Sequence, residues 1–242
     1  MPDSFIFAYC GPAAVPSDLL MRWNVDPVLW GILALVGLLV ARGPCADRRA
    51  GAAALALMVF IFVSPLCALS SALFSARVLH HVLLIAAVAP LLAIAFPSRG
   101  WRSPPLSLLV GLQAVVLWVW HMPAVYEWGL ASIPTYWMMQ VTLLGSAWLL
   151  WRAVFSAETP AGAALVALVT TVAQMGLLAA LIVFAPRALY AVHFAGAAAW
   201  GLDPLTDQQL AGLLMWVPAA LPYLGVGLWL AWSSLGPAEP AS

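Results

Sequence analysis

Long stretches of this 242-residue chain run without a single charged side chain. Several reach the roughly 20 residues that a helix needs to cross a hydrocarbon core about 30 Å thick. Unbroken apolar runs predict spans at residues 27–41, 50–74, 78–96, 104–122, 134–155, 161–185 and 208–232. The first is short and draws on Trp23 to Trp30 at the interface to reach across. Charged residues make up 7% of the chain and hydrophobic ones 65%, with a mean hydropathy of +1.02. Soluble domains carry roughly 25% charged residues, so no water-facing surface can be built from this composition. A membrane-spanning barrel would show segments of about ten residues alternating apolar and polar, and no such alternation is present. The expected fold is therefore all-α: a polytopic transmembrane helical bundle of about seven spans over residues 27–232. An arm at residues 1–26 precedes it, and a short tail at 233–242 follows. The arm has no basic start and carries Pro2, Asp3, Pro12, Pro16 and Asp18, unlike a cleavable signal.

Arginine sets the orientation, because the chain contains no lysine and positively charged loops stay cytoplasmic. With the N-terminus outside, Arg42, Arg48, Arg49, Arg99, Arg102 and Arg152 lie inside, against Arg22, Arg77 and Arg187 outside. That favours N-out, C-in, with the tail cytoplasmic. Trp118, Trp120, Trp128, Trp137 and Trp200 then gather near outer span ends, and Trp101, Trp148, Trp151 and Trp232 near inner ends, as aromatic belts do. Gln113, Gln174 and Thr171 are expected to bond between helices, Pro65, Pro90 and Pro218 to kink their spans, and Gly176 and Gly212 to mark close packing. Cys10, Cys45 and Cys67 show no CxxC spacing, and no disulfide framework follows from them.

All four histidines fall on one side of the membrane in this topology. His80 and His81 open the third span, His121 closes the fourth, and His193 lies in the outer loop before the seventh. Cys67, Met122, Met138, Met139, Met215, Asp203 and Asp207 lie at similar depth. Imidazole combined with thioether or thiolate suits copper, Cu(I) above all. Against this, histidine is common at interfaces and methionine fills irregular gaps in any helical core. Adjacent His80 and His81 leave a helix about 100° apart, so they are not expected to serve one metal together. Asp207, Ala211 and Met215 share a face at i, i+4 and i+8. They could line a polar pocket opening outward, or Asp207 could cap its own helix.

Several classes are excluded. There is no nucleophile-base constellation, phosphate-binding glycine loop or HExxH, and no basic stripe for nucleic acid. A retinal Schiff base needs a lysine, which is absent. A solute transporter stays open as a further reading, suggested by the broken spans and Gln174, though no ring of intramembrane acids or repeat pair is evident. A haem held by two histidines is the alternative to copper, since His81 and His121 lie on different helices at one depth.

Three ordered motifs resemble a known family. Ser64-Pro65-Leu66 through Leu73-Phe74-Ser75-Ala76, followed by His81 to Ala89-Pro90-Leu91-Leu92 and Pro97, resembles the second and third spans of the CtaG-type cytochrome c oxidase assembly factors. Trp118-Val119-Trp120-His121-Met122-Pro123 with Tyr126 is similar to the family's W-x-W-H-x-P-x-x-Y signature, and the run from Leu205 to Trp216 is similar to a third motif. The resemblance covers roughly residues 23 to 232. It implies a non-enzymatic protein of the bacterial inner membrane that aids assembly of haem-copper oxidase and handles copper for it on the periplasmic side. Oxidase subunits and a periplasmic copper chaperone would be its partners. His81, His121, Asp207 and Met215 match the family pattern. The family's recurrent His at the position of Arg77 is missing, and His80 stands where the pattern has Gln. An Arg cannot ligate a metal, so either His80 substitutes or the site is altered.

Overall fold

A computed structural model describes residues 9–97 and 104–235. Arg99, Trp101 and Arg102, the beginning of the arm with Pro2 and Asp3, and most of the tail lie outside the described residues.

Several helices begin at a side-chain cap. In α1 (Pro27–Arg42) the first position is proline, and the Asp26 carboxylate accepts from the Val28 amide. In α2 (Arg48–Val63) Asp47 accepts from the amides of Arg49 and Ala50. Pro65 then breaks the chain, and α3 (Leu66–Ala72) leaves α2 at 47°. After one extended residue, Leu73, α4 (Phe74–Leu83) runs through a π-turn (Leu84–Val88) into α5 (Ala89–Ala95). Next come α6 (Leu106–His121) and α7 (Pro123–Leu130), bent by 79° where Pro123 ends the helix before it. Then follow α8 (Ile133–Val154), α9 (Ala161–Val183), the short α10 (Phe194–Ala199), α11 (Pro204–Trp216) and α12 (Ala220–Leu235). The described residues contain no strand, as the all-α expectation requires.

Three apolar stretches among the described residues are long enough to cross a bilayer: α4–α5 with 22 residues, α9 with 23, and α11–α12 with 32. Counting the bent pairs α2–α3 and α6–α7 as one span each raises this to five. Length and composition alone thus mark three to five of the expected seven spans among the described residues. α1 is a shorter apolar helix. α8 has the length, but Thr135, Tyr136, Gln140 and Ser146 dilute its apolar character.

In the packing order, α11 lies against α9 and α4, α6 against α8 and α9, and α5 against α2 and α8. Two glycines set the closest approaches. A Cβ on Gly212 would come within 2.4 Å of Val183 on α9, and one on Gly196 within 2.1 Å of the Ala72 carbonyl oxygen. Gly176 has only ordinary contact with Trp216. The polar residues behave in two ways. Gln113 accepts from Ser146 Oγ at 2.7 Å and Gln174 accepts from Trp118 Nε1 at 2.9 Å, both between helices as expected. Thr171 instead donates back to the Ala167 carbonyl one turn earlier on its own helix.

Pro90 does not break its span, and the reason corrects the reading of Trp151. A π-turn directs the N–H of residue i to the carbonyl of i−5, and proline has no N–H. The carbonyl left over is that of Ile85, and Trp151 Nε1 donates to it at 3.0 Å. Trp151 is fully buried, so it serves the backbone and does not anchor at the interface. Trp118, Trp120 and Trp200 also depart from the belt: each indole N–H is engaged, by Gln174, Thr142 Oγ1 and the Ala14 carbonyl respectively. Trp128 and Trp232 remain exposed, as belt residues would be. Trp151→Phe should lower stability by about 1–3 kcal/mol by leaving a buried acceptor bare. The loss should shrink in a Pro90→Ala background, where the residue 90 amide can reach back to that turn. A double-mutant cycle of thermal unfolding in detergent measures the difference.

Candidate functional site

The helix break at Leu73 creates a helix start inside the protein, where the first amides of α4 have no partner of their own. Asp207, on α11, supplies one. Its carboxylate accepts from Phe74 N at 2.7 Å, from Ser75 N at 3.2 Å and from the Ser75 hydroxyl. Asp207 is 1% exposed, and Ala211 and Met215 below it are also buried on the same face. The cap of α11 itself is Asp203, which accepts from Leu205 and Thr206. Asp207 therefore caps a neighbouring helix rather than its own. Nor does it line an outward-opening polar pocket, since the cavity it borders with His193 and Tyr190 is only about 10 Å³.

With its start fixed, α4 directs Arg77, His80 and His81 into the interior, all at most 3% exposed. Arg77 Nε donates to the Ser70 carbonyl at 3.1 Å, and the guanidinium lies 5.3 Å from the centre of the Tyr136 ring. Its two terminal nitrogens are buried beside Tyr126 and Tyr136, and both nitrogens of His80 are buried as well. His80 packs its ring edge-on against Phe62. His81 Nε2 lies 3.3 Å from the Gln140 amide nitrogen, which donates to it. His121 enters from the end of α6, its ring centre 6.2 Å from that of His81. His121 Nδ1 is 2.7 Å from the Leu117 carbonyl, which can only accept, so the proton is on Nδ1 and Nε2 keeps its lone pair.

His193 takes a different partner. Its Nε2 and the Tyr126 hydroxyl are 2.6 Å apart, and its Nδ1 is unpartnered. Burial, with the Arg77 charge adding to it, pushes the His193 imidazole down to about 3. Its ring neighbours are Phe74 and Tyr126. No three His, Cys, Asp or Glu side chains among the described residues converge as a ligand set. The pair His81 and His121 is what remains together.

The sulfur candidates separate. Met122 sits at the bend between α6 and α7 and is 55% exposed, and Met138 is also exposed. Met139 and Met215 are buried in the apolar core. Cys67 is joined to Cys10 in a disulfide with a Cα separation of 5.3 Å, contrary to the expectation of no disulfide. In this state it has no thiolate to offer. Sequence spacing missed the bond because it joins residues 57 apart, and only the arm's path over α3 brings them together. Gln140, Tyr136 and Tyr190 were missed as well. Tyr190 donates to the His121 carbonyl at 2.8 Å and stacks on Phe74. An aromatic or an amide side chain gives no signal until its neighbours are known.

A helical membrane protein whose half nearest the N-terminal arm encloses a layer of histidine, tyrosine and arginine, closed by a carboxylate between two helices, is the class these features define. Residues 30–235 match the family of cytochrome c oxidase caa3 assembly factors (Caa3_CtaG), and the chain belongs to that family. No curated protein and no solved structure matches it.

Two expectations follow. Asp207→Ala should cost about 2–4 kcal/mol, because three donors lose their acceptor, and Asp207→Asn less. Thermal unfolding in detergent reads both. His193 is neutral when folded and takes up a proton near pH 6.5 when unfolded, so the stability it contributes is full above that pH and is lost as pH falls toward 3. Between pH 7 and pH 4.5 the parent should lose on the order of 2 kcal/mol more than His193→Gln.

Proposed function

We propose that this oxidase assembly factor handles copper, holding Cu(I) between His81 and His121 on the face that carries the N-terminal arm and passing it to an oxidase subunit. The observation that carries the reading is the 6.2 Å spacing of the two rings, with the lone pair of His121 Nε2 left free. An ion about 2 Å from each of two ring nitrogens separates them by roughly 4 Å, which this spacing accommodates. Two neutral imidazoles suit a soft monovalent ion. The Leu117 carbonyl fixes the His121 tautomer, as partners beyond the ligands do in metal sites. Gln140 gives up its bond to His81 when the ion enters, and a low coordination number lets the ion leave again. The role is carriage rather than catalysis. His80, 5.9 Å from His81, is the next stop for an ion moving through the layer.

The orientation we propose is N-out and C-in, with the bent pairs α2–α3 and α6–α7 each crossing once and α1 and α8 also crossing to give seven spans in the bacterial inner membrane. A disulfide between the arm and α3 supports it, because such bonds persist in the oxidising periplasm. A periplasmic copper chaperone would deliver the ion.

His81→Ala combined with His121→Ala should weaken Cu(I) binding at least ten-fold in competition with bicinchoninate. Unchanged affinity overturns the site. Oxidase copper content should fall in cells lacking the protein, and an unaltered content overturns the delivery role.

A further inference from the structure

A cavity of about 500 Å³ opens between the arm and the start of α1, and Cys10 and Cys67 border it together with Asn24, Asp26 and Arg22. Cys10 is half-buried whereas Cys67 is 1% exposed, so the Cys10 sulfur is the one a partner meets from outside. Donors surround it. The Tyr136 hydroxyl lies 3.7 Å from Cys10 Sγ, Ser70 Oγ lies 4.0 Å from the same sulfur, and the Asn24 amide lies 4.0 Å from Cys67 Sγ. Groups that donate to sulfur favour a thiolate over a thiol. The sulfurs also stand directly above the buried layer, since Ser70 and Tyr136 are the two residues that hold Arg77.

The arm does not depend on the disulfide for its position. The Tyr9 hydroxyl donates to Asp26, Arg22 Nη2 donates to the Pro12 carbonyl at 2.7 Å, and Trp200 Nε1 donates to the Ala14 carbonyl at 2.8 Å. Tyr9 stacks on Tyr136 with ring centres 4.9 Å apart. Gly11, at φ +83°, turns the chain back immediately after Cys10. Opening the bond therefore leaves two sulfurs held side by side instead of releasing a strand.

We propose that Cys10 and Cys67 form a thiol–disulfide exchange site for an external dithiol, and that their reduced form binds Cu(I) at the mouth of the protein. In the exchange, a thiolate of the partner dithiol attacks one sulfur of the pair, and a mixed disulfide forms as the other sulfur leaves as thiolate. The partner's second thiol then attacks its own bonded sulfur. Two electrons and two protons pass to the Cys10–Cys67 pair, and the partner departs as a disulfide. Cu(I) binding to the two sulfurs displaces their protons. Two thiolates are a softer ligand set than two imidazoles, and suit capture from outside. The copper part rests on the proposed handling role, whereas the exchange stands without it.

The test uses the full-length protein carrying Cys45→Ser, so that the pair supplies its only cysteines. Without denaturant, dithiothreitol should make both cysteines reactive to maleimide, where the oxidised protein shows no reaction. The reduced protein should bind a further equivalent of Cu(I), measured against bicinchoninate, over the oxidised protein. Alkylation of the reduced form should abolish that increment. The same increment should survive His81→Ala with His121→Ala, which separates this site from the inner pair and requires no cysteine substitution that could disturb folding. Sulfurs that stay unreactive in the folded protein overturn the exchange, and equal Cu(I) binding by the two redox forms overturns the port.

Discussion

The buried carboxylate of Asp207 fixes the arrangement of everything on the arm side of the bundle. A helix that starts inside a membrane protein exposes amides that no water can satisfy. The break at Leu73 creates such a start, and Asp207 meets it with bonds from Phe74 and Ser75. That single contact ties α11 to α4 and sets the rotation of α4 about its axis. Arg77, His80 and His81 point inward because α4 begins where it does. The close approach at Gly212 completes the clamp by drawing α11 against α9.

The layer below that clamp gathers buried nitrogen: the Arg77 guanidinium, both His80 nitrogens and His193 Nδ1, with Gln140 Oε1 among them. The Tyr136 ring offsets part of the Arg77 charge. Elsewhere in the bundle the carbonyl freed by Pro90 is taken by Trp151, and the Gln113 and Gln174 carbonyl oxygens each accept from a neighbouring helix.

The family relationship and the geometry bear on different questions. Membership among the caa3 oxidase assembly factors places the chain in respiratory complex biogenesis. The geometry reduces a dispersed set of histidines and sulfurs to one facing pair, His81 and His121, with His193 engaged by Tyr126 and Cys67 by Cys10.

Composition and the length of the charge-free runs were enough to establish an all-helical membrane protein, because no other surface can be made from so few charges. Ordered motifs around His81, His121 and Asp207 were enough to name the family. Chain position alone could not say which partner each side chain meets. Asp207 reads equally as a cap for its own helix or as a pocket lining until α4 is seen beside it. Trp151 reads as an interface anchor until the missing N–H of Pro90 is found opposite, and Cys10 and Cys67 read as unrelated until the arm folds over α3. Apolar periodicity specifies that a helix is buried, whereas hydrogen bonds and disulfides between distant residues depend on how whole helices rotate and cross, which only the tertiary structure decides.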